Sequence, residues 1–203
     1  AGATLYYTLN GLDPRAPGGA VADGTKSNSG PVTLTIDANT RVVARAYQGG
    51  SWYRTWSGPS ASSFILNTPQ VRITEVMYHP PAAPAGSTNS ASDYEFIEVK
   101  NLAASEINLK GFSLSGGVKF VFPALSLPAG ERAVVVANPE AFSSRYPNPQ
   151  IRIAGQFTGS LNNGGDRITL VGPLQEPIQD FTYQPSWYRA TDGLGFALVT
   201  TAD

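Results

Sequence analysis

The feature that most constrains this chain is a two-residue alternation of apolar and polar side chains in short runs. Val32, Leu34 and Ile36 alternate with threonines, and the stretches TRVVARAY (40–47) and RITLV (167–171) keep the same period. Each run is bounded by glycine, proline or asparagine, and both Gly (21) and Pro (16) are abundant. This pattern is typical of half-buried strands joined by many turns. The sequence therefore predicts an all-β fold.

Two local signals refine this prediction. The stretch SLSGGVKFVFP (113–123) places Gly116 and Gly117 between two strand-like runs, which predicts a hairpin closed by a two-residue turn with positive φ. One short helix is expected, because Asn138 can cap it, Pro139 suits its first turn and Pro147 ends it. At most one short helix thus interrupts the strands.

Composition excludes several classes of function. Lys+Arg 14 against Asp+Glu 15 gives a formal net charge of -1, so the chain lacks the basic field of a nucleic-acid binder. Cys 0 excludes disulfides, thiol nucleophiles and thiolate metal sites. No apolar run approaches the roughly 20 residues of a membrane helix, and the opening AGATLYYTLN has no signal-peptide pattern. We expect any export signal to lie upstream.

The clearest boundary falls at Asn67-Thr68-Pro69, where the stretch ending SSFIL stops and the strand-like VRITEVMY begins. Two β domains are predicted, residues 1–68 and 69–203. Residues 80–92 form a Pro/Ala/Ser/Asn-rich segment that cannot build a core, so we expect it to be a surface loop.

A series of motifs in the second domain carries a family resemblance. The motifs are ITEVMYHP (73–80), YEFIEVKN (94–101), LKGFSLSGG (109–117), KFVFP (119–123), LPAGERAVVVAN (127–138), GSLNNGGDRITLV (159–171), DFTY (180–183) and DGLGFAL (192–198). In this order they resemble the lamin tail domain of bacterial proteins. The resemblance implies an immunoglobulin-like β-sandwich, and it brings no known catalysis. It also implies a secreted or cell-envelope location.

The first domain resembles the small β-sandwich module at the C-terminal ends of chitobiases and related hexosaminidases. The resemblance rests on YYTLNGLDPR (6–15), GPVTLTIDANTRVVARAY (30–47) and WSG (56–58). That family usually has further strands upstream of AGATLYY, so we expect an N-terminally truncated module within a fragment of a longer protein. In those enzymes the module is accessory to a separate catalytic domain, so the resemblance transfers no glycosidase activity.

The only histidine, His79, is the first candidate for catalysis. It precedes Pro80-Pro81 at the end of a predicted strand, and no G-x-S-x-G motif accompanies it. A Ser-His-Asp triad needs supporting motifs of that kind, so a loop histidine is favoured over a catalytic base.

Acidic residues around the 80–92 loop form the second candidate site. On an extended strand Glu95 shares a face with the apolar Ile97, and Glu75 shares a face with Ile73 and Met77. A carboxylate on a buried face needs partners. The four acidic residues at this position are Glu75, Asp93, Glu95 and Glu98.

Two interpretations of these carboxylates stay open. They could converge on a Ca²⁺ ion, which accepts carboxylate oxygens, or they could bond the backbone and Arg72 or Lys100. Bonding of the carboxylates to the backbone and to Arg72 or Lys100 is favoured over Ca²⁺ binding, and no cofactor is predicted. A pair of them acting as glycosidase acid and nucleophile is a third alternative, without support from any motif.

The stretch GGSWYRTWSG (49–58) is the third candidate, a ligand site. If it is extended, Trp52, Arg54 and Trp56 share one face, which would suit sugar stacking. Burial of the indoles in the first domain, or against Trp187 and Tyr188 of the second, is the alternative that we favour.

These observations together predict a non-catalytic adhesion, spacing or targeting module of a larger exported bacterial protein. The alternative is a carbohydrate-binding accessory module of a cell-surface hydrolase. Expected partners are other domains of the parent protein and a cell-surface protein or polysaccharide, with no nucleic acid.

Overall fold

The computed structural model describes residues 2–49 and 54–200. Within these ranges the chain is built mainly of strands with one short helix, so the predicted all-β fold class is confirmed. The chain divides into two compact units, Ala1–Thr68 with Leu174–Glu176, and Pro69–Pro173 with Pro177–Asp203. No helix in the described ranges is long and apolar enough to cross a membrane.

The first unit contains one described antiparallel sheet. Its strands are β1 (Thr4–Thr8), β2 (Lys26–Asn28), β3 (Thr40–Gly49), β4 (Arg54–Trp56) and β5 (Ser60–Phe64). The long strand β3 pairs with β1 on one side and with β4 and β5 on the other, and β1 also pairs with β2. The described residues of this unit form one sheet and not two facing sheets. The segments between β1, β2 and β3 are turns and extended chain that form no further paired strands.

The stretch from Val32 to Ile36 differs from its prediction. Its burial does alternate, since Val32, Leu34 and Ile36 are half-buried while Thr33 and Thr35 are exposed. The structure nevertheless assigns no strand there. The alternation identified an extended segment with one apolar face, but period alone does not show whether the backbone finds a pairing partner.

The second unit has three described sheets. Its strands are β6 (Val71–Met77), β7 (Phe96–Asn101), β8 (Ile107–Asn108), β9 (Ser113–Gly116), β10 (Val118–Val121), β11 (Ser126–Leu127), β12 (Arg132–Val136), β13 (Ile153–Gln156), β14 (Thr158–Gly159), β15 (Asp166–Val171), β16 (Pro177–Tyr183) and β17 (Leu198–Val199). One sheet has the order β13-β12-β7-β6-β17, the second has the order β14-β10-β9-β15-β16, and β11 pairs with β8.

The main core lies between the two large sheets of the second unit. Val99 and Val135 from the first sheet pack with Leu114, Ile168 and Leu170 from the second, and all five side chains are buried. Each of these residues comes from a strand whose successive side chains alternate between this core and the opposite face of the sheet, as in a β-sandwich. The immunoglobulin-like sandwich predicted for this unit agrees with this arrangement.

The helix α1 (Pro139–Arg145) joins β12 to β13 and covers the outer face of their sheet at one end. As predicted, Asn138 caps it, because its side-chain oxygen accepts hydrogen bonds from the backbone N–H groups of Glu140 at 3.1 Å and Ala141 at 3.2 Å. Phe142 packs edge-on against Phe96 of β7 in a second apolar cluster. This crossover makes β12 and β13 a parallel pair.

The predicted hairpin at Gly116-Gly117 is present, since β9 and β10 pair antiparallel. The turn differs from a two-residue turn with φ > 0 at both glycines, because the register places Gly117 at its centre and only Gly116 has positive φ. Both glycines lie against β15. A Cβ atom on Gly116 would overlap the carbonyl oxygen of Arg167, so close strand approach is a second reason for glycine here.

Candidate functional site

Glu75 and Glu98 lie directly opposite each other on the neighbouring strands β6 and β7. A bulge between Ile73 and Glu75 interrupts the pairing. As a result Ile73 packs in the main core whereas Met77 packs in the outer cluster beside α1. The expectation that Glu75 simply alternates with Ile73 and Met77 on one face is therefore wrong, because the extra residue of a bulge reverses the faces.

Glu98 is held by two neighbours. Its Oε1 accepts a hydrogen bond from the Thr74 hydroxyl at 2.7 Å and pairs with Nε of Arg132 at 3.1 Å. Glu75 is half-buried beside this pair. Burial raises the pKa of the Glu75 carboxyl above its usual range, and the charge of Glu98 raises it further against the opposing effect of Arg132. Arg132 thus forms an ion pair with Glu98, and its charge acts on Glu75 without a recorded ion pair between them.

Glu95 and Asp93 have separate structural partners. Glu95 is 3% exposed and accepts the backbone N–H of Leu161 at 2.8 Å. Burial raises the pKa of Glu95 to about 7, although the bond from Leu161 acts in the opposite direction. Asp93 accepts the backbone N–H and the hydroxyl of Ser90, each at 2.7 Å, which lowers its pKa and caps the 3₁₀ turn Ala91–Tyr94.

The four carboxylates therefore do not converge on one site. Among the described residues, no group of three or more His, Cys, Asp or Glu side chains is placed to hold a metal ion. Glu75 and Glu98 lie opposite each other in the sheet, Asp93 closes the loop and Glu95 bonds a loop amide. This geometry gives each carboxylate a local partner or neighbour.

His79 lies at the surface just after β6. Its Nδ1 is 2.7 Å from Oδ1 of Asp192, and both side chains are partly exposed. The imidazole also lies against Gly193, where a Cβ atom would come 3.3 Å from it. This pair ties the start of the 80–92 loop to the segment that precedes β17.

Of the three residues proposed as a sugar platform, only Trp56 has a described side chain. Its indole is half-buried, with ring centroids 5.2 Å from Tyr6 and 4.8 Å from Tyr47. Its Nε1 donates a hydrogen bond to the Gly19 carbonyl at 2.8 Å. Trp52 and the side chain of Arg54 lie outside the described residues, so the shared face remains a prediction.

The second unit has an open groove of about 400 Å³ where the edges of its two large sheets approach each other. β6 and β17 form one wall, and Phe181 of β16 contributes to the other. Trp187 and Tyr188 line the groove from the loop after β16 and remain 49% and 57% exposed. Glu75 lines the same groove. This is the concave, mostly apolar kind of surface that ligands occupy.

Gln179 of β16 bridges the groove to β6. Its Oε1 accepts the backbone N–H of Ile73 at 2.8 Å, and its Nε2 donates to the Ile73 carbonyl at 3.5 Å. Near this bridge, β17 pairs with β6, and the backbone N–H of Thr200 donates to the Thr74 carbonyl at 3.0 Å. The groove therefore has an apolar floor and hydrogen-bonded backbone along one wall.

Our sequence interpretation missed this groove. It treated Trp187 and Tyr188 only as packing partners, and it placed the ligand candidates in the first domain. A local signal existed, since two adjacent large aromatic residues stand in a turn-forming stretch, PSWYR (185–189), without strand alternation. Exposed aromatic residues of this kind often mark an interaction surface.

Comparisons with known proteins gave one family match, which lies mainly in the second unit. The family model described as Lamin Tail Domain matches residues 66–185, which is more than half of the chain. No curated protein matches the chain. One similar solved structure is a DUF4876 family protein from Bacteroides thetaiotaomicron VPI-5482, with 13% identity and a TM-score of 0.34 over 84% of this chain and 62% of that chain.

Proposed function

Because the chain belongs to the lamin tail domain family, we propose that it acts as a non-catalytic adhesion, spacing or targeting module. Lamin tail domains are an immunoglobulin-like, non-catalytic family. The proposal extends to the parent protein, which would be a larger exported bacterial protein that carries this segment at the cell envelope or outside the cell. Its other domains, and a surface protein or polysaccharide, would be the partners.

The exposed aromatic groove carries this proposal. Several large aromatic side chains of the second unit, Tyr78, Tyr94 and Tyr183 among them, are fully buried, whereas Phe196 is exposed on a surface outside the groove. Trp187 and Tyr188 instead keep about half of their surface in solvent while lining a concave site. Aromatic side chains in such positions supply much of the binding free energy in protein interfaces. A binding role accounts for their exposure.

The arrangement of ionisable groups supports a role without catalysis. Glu98 is bonded to Thr74 and Arg132, and Glu95 bonds a backbone N–H. A general acid or base must reach a substrate proton, and these contacts direct both carboxylates to the protein itself. We therefore expect no turnover of chromogenic glycoside, ester or phosphate substrates. Activity that disappears in Glu75→Gln or Glu98→Gln would contradict this proposal.

Retention on cell envelopes tests the binding role. We would fuse the chain to a fluorescent protein and measure the fraction retained on bacterial envelope preparations. The double variant Trp187→Ala/Tyr188→Ala should lose most of that retention without a change in secondary structure. Phe196→Ala is the matched control, because Phe196 is an exposed aromatic residue (65%) that does not line the groove. Equal retention of all three proteins would refute a targeting role for this groove.

A carbohydrate-binding accessory module is the second candidate. Adjacent Trp187 and Tyr188 rings could stack on sugar rings, and the resemblance of residues 1–68 to the chitobiase module favours the same function. Affinity electrophoresis through gels that contain chitin derivatives or other neutral polysaccharides tests it. Retardation that is lost in Trp187→Ala, together with no retention on protein-rich envelopes, would replace the targeting function with this one.

A further inference from the structure

The charge of the groove identifies the chemistry of its ligand, if the binding role proposed above is correct. Glu75 lines the groove, and it also lines a neighbouring depression together with Glu98 and Arg132. Arg132 forms its ion pair with Glu98 at 3.1 Å. Within the described part of the chain, Glu75 is left without an ion-pair partner. Among the described residues that line the groove, Glu75 is the one charged side chain.

The aromatic side chains of the groove favour the same kind of ligand. Phe181, Trp187 and Tyr188 all line it, and an aromatic ring face attracts an ammonium or guanidinium group. The second unit already contains such a contact, since the guanidinium carbon of Arg145 lies 3.4 Å from the centre of the Tyr94 ring. A ring face and a carboxylate together make a receptor for an organic cation.

The shape of the groove distinguishes among cations. It is an apolar slot of about 400 Å³ with Glu75 on one wall. A lysine or arginine side chain matches this slot, because its methylene stem can lie on apolar surface while the charged head stays at a polar group. Phosphate, sulfate and uronic acids would be repelled by Glu75. A purely apolar ligand would leave the Glu75 carboxylate desolvated and unpaired, which is unfavourable.

We propose that this groove receives a lysine or arginine side chain from a partner polypeptide, with its stem against Trp187 and Tyr188 and its charged head at the Glu75 carboxylate. Targeting would then depend on a basic residue displayed by the partner. The partner's adjoining backbone would extend over the exposed Val199, which lies on the same wall of the groove.

Titration by NMR tests the proposal directly. The ¹⁵N-labelled chain contains three tryptophans, and the indole N–H signal of Trp187 is identified from its loss in Trp187→Phe. The probes are the blocked amino acids Nα-acetyl-lysine methylamide and Nα-acetyl-arginine methylamide. We expect saturable shifts of the Trp187 signal with millimolar dissociation constants, and several-fold weaker binding of the uncharged norleucine analogue.

Charge variants make the test specific. Glu75→Gln should weaken lysine binding several-fold and strengthen norleucine binding, because the apolar ligand no longer desolvates an unpaired charge. Glu106→Gln removes an exposed carboxylate outside the groove and should leave both unchanged. Thermal melting of each variant verifies its fold. The proposal fails if norleucine binds as tightly as lysine, or if Glu75→Gln has no effect on a folded protein.

Three further probes distinguish a basic side chain of a polypeptide from other ligands. A nine-residue glycine-serine peptide with one central lysine should bind at least as tightly as the blocked amino acid, because its backbone adds contacts. Choline and N-acetylglucosamine should bind more weakly, and tighter binding of either one would overturn the polypeptide assignment. If lysine fails to bind while Trp187→Ala/Tyr188→Ala still abolishes envelope retention, this inference is wrong and the targeting function stands.

Discussion

The side-chain amide of Gln179 occupies the place of a neighbouring strand at Ile73. It accepts the N–H of Ile73 at 2.8 Å and donates to its carbonyl at 3.5 Å. The strand β17 pairs with β6 at Val76 and Glu75, which lie further along the same strand. One glutamine therefore satisfies backbone groups that would otherwise face solvent or another chain.

Removing this amide should expose the edge of β6. We predict that Gln179→Ala lowers the free energy of unfolding by about 1 kcal/mol and speeds hydrogen exchange of the Ile73 amide. Gln179→Glu is the matched control, because its carboxylate keeps an acceptor for the Ile73 N–H. Exchange of Ile73 that is equally slow in the wild type and Gln179→Ala would show that the bridge does not protect this edge.

The buried carboxyl of Glu95 should make stability fall as pH rises. Its folded pKa of about 7 lies above the usual 4.5, so the stabilisation from the protonated form is complete below pH 4.5 and is lost as pH rises through 7. We predict that the free energy of unfolding of the wild type, measured by chemical denaturation, declines by about 3 kcal/mol over this interval and that Glu95→Gln lacks this decline.

Glu95→Gln keeps an oxygen that can accept the Leu161 N–H, so the comparison isolates the charge. Glu106→Gln serves as the control, since its exposed side chain should leave the wild-type pH profile unchanged. Parallel profiles for the wild type and Glu95→Gln would mean that the pKa of Glu95 is the same in the folded and the unfolded protein.

A side chain at Gly116 should disrupt the β9–β15 contact. Gly116 has φ of 114°, and a Cβ atom there would overlap the Arg167 carbonyl oxygen. We predict that Gly116→Ala costs more than about 2 kcal/mol, measured by thermal unfolding. Gly130→Ala is the control, because Gly130 also has positive φ but no atom within 4 Å of the added Cβ, and it should cost about 1 kcal/mol. Equal losses would show that φ alone determines the effect.

The indole of Trp56 should stabilise the first unit. Trp56→Ala removes ring contacts with Tyr6 and Tyr47, and we predict a loss of about 2 kcal/mol by thermal melting. Trp56→Phe keeps a ring but loses the bond to Gly19, so it should cost less. The same loss for Trp52→Ala remains a prediction from sequence. Unchanged melting with lost retention on immobilised polysaccharide would instead favour the sugar platform.

Local features of this fold could be predicted from sequence because their causes are local. Asn138 and Pro139 define the helix start within one turn, and two glycines mark the β9–β10 hairpin. The bulge after Ile73 could not be predicted, since it depends on how β6 pairs with β7. It reverses the faces on which Ile73 and Met77 pack, so the period-two argument failed there.

The candidate site was harder to predict than the fold. Glu75 and Glu98 were identified as notable acids, but their direct opposition depends on strand register. The groove combines residues of β6 with Trp187 and Tyr188, which are far apart in sequence. No local pattern reports which distant strand edges approach each other, so an exposed aromatic pair was interpreted as a packing partner.

The pairing of β17 with β6 also affects how the second unit is made. A ribosome releases β6 and β7 early, whereas Gln179 and β17 emerge only near the end of the unit. Until then the nascent chain displays an uncovered β6 edge to other chains nearby. Slower synthesis lengthens that exposure, so chains interrupted before Leu198 should aggregate more readily than the finished domain. The residues that cover the β6 edge are thus among the last of the second unit to be synthesised.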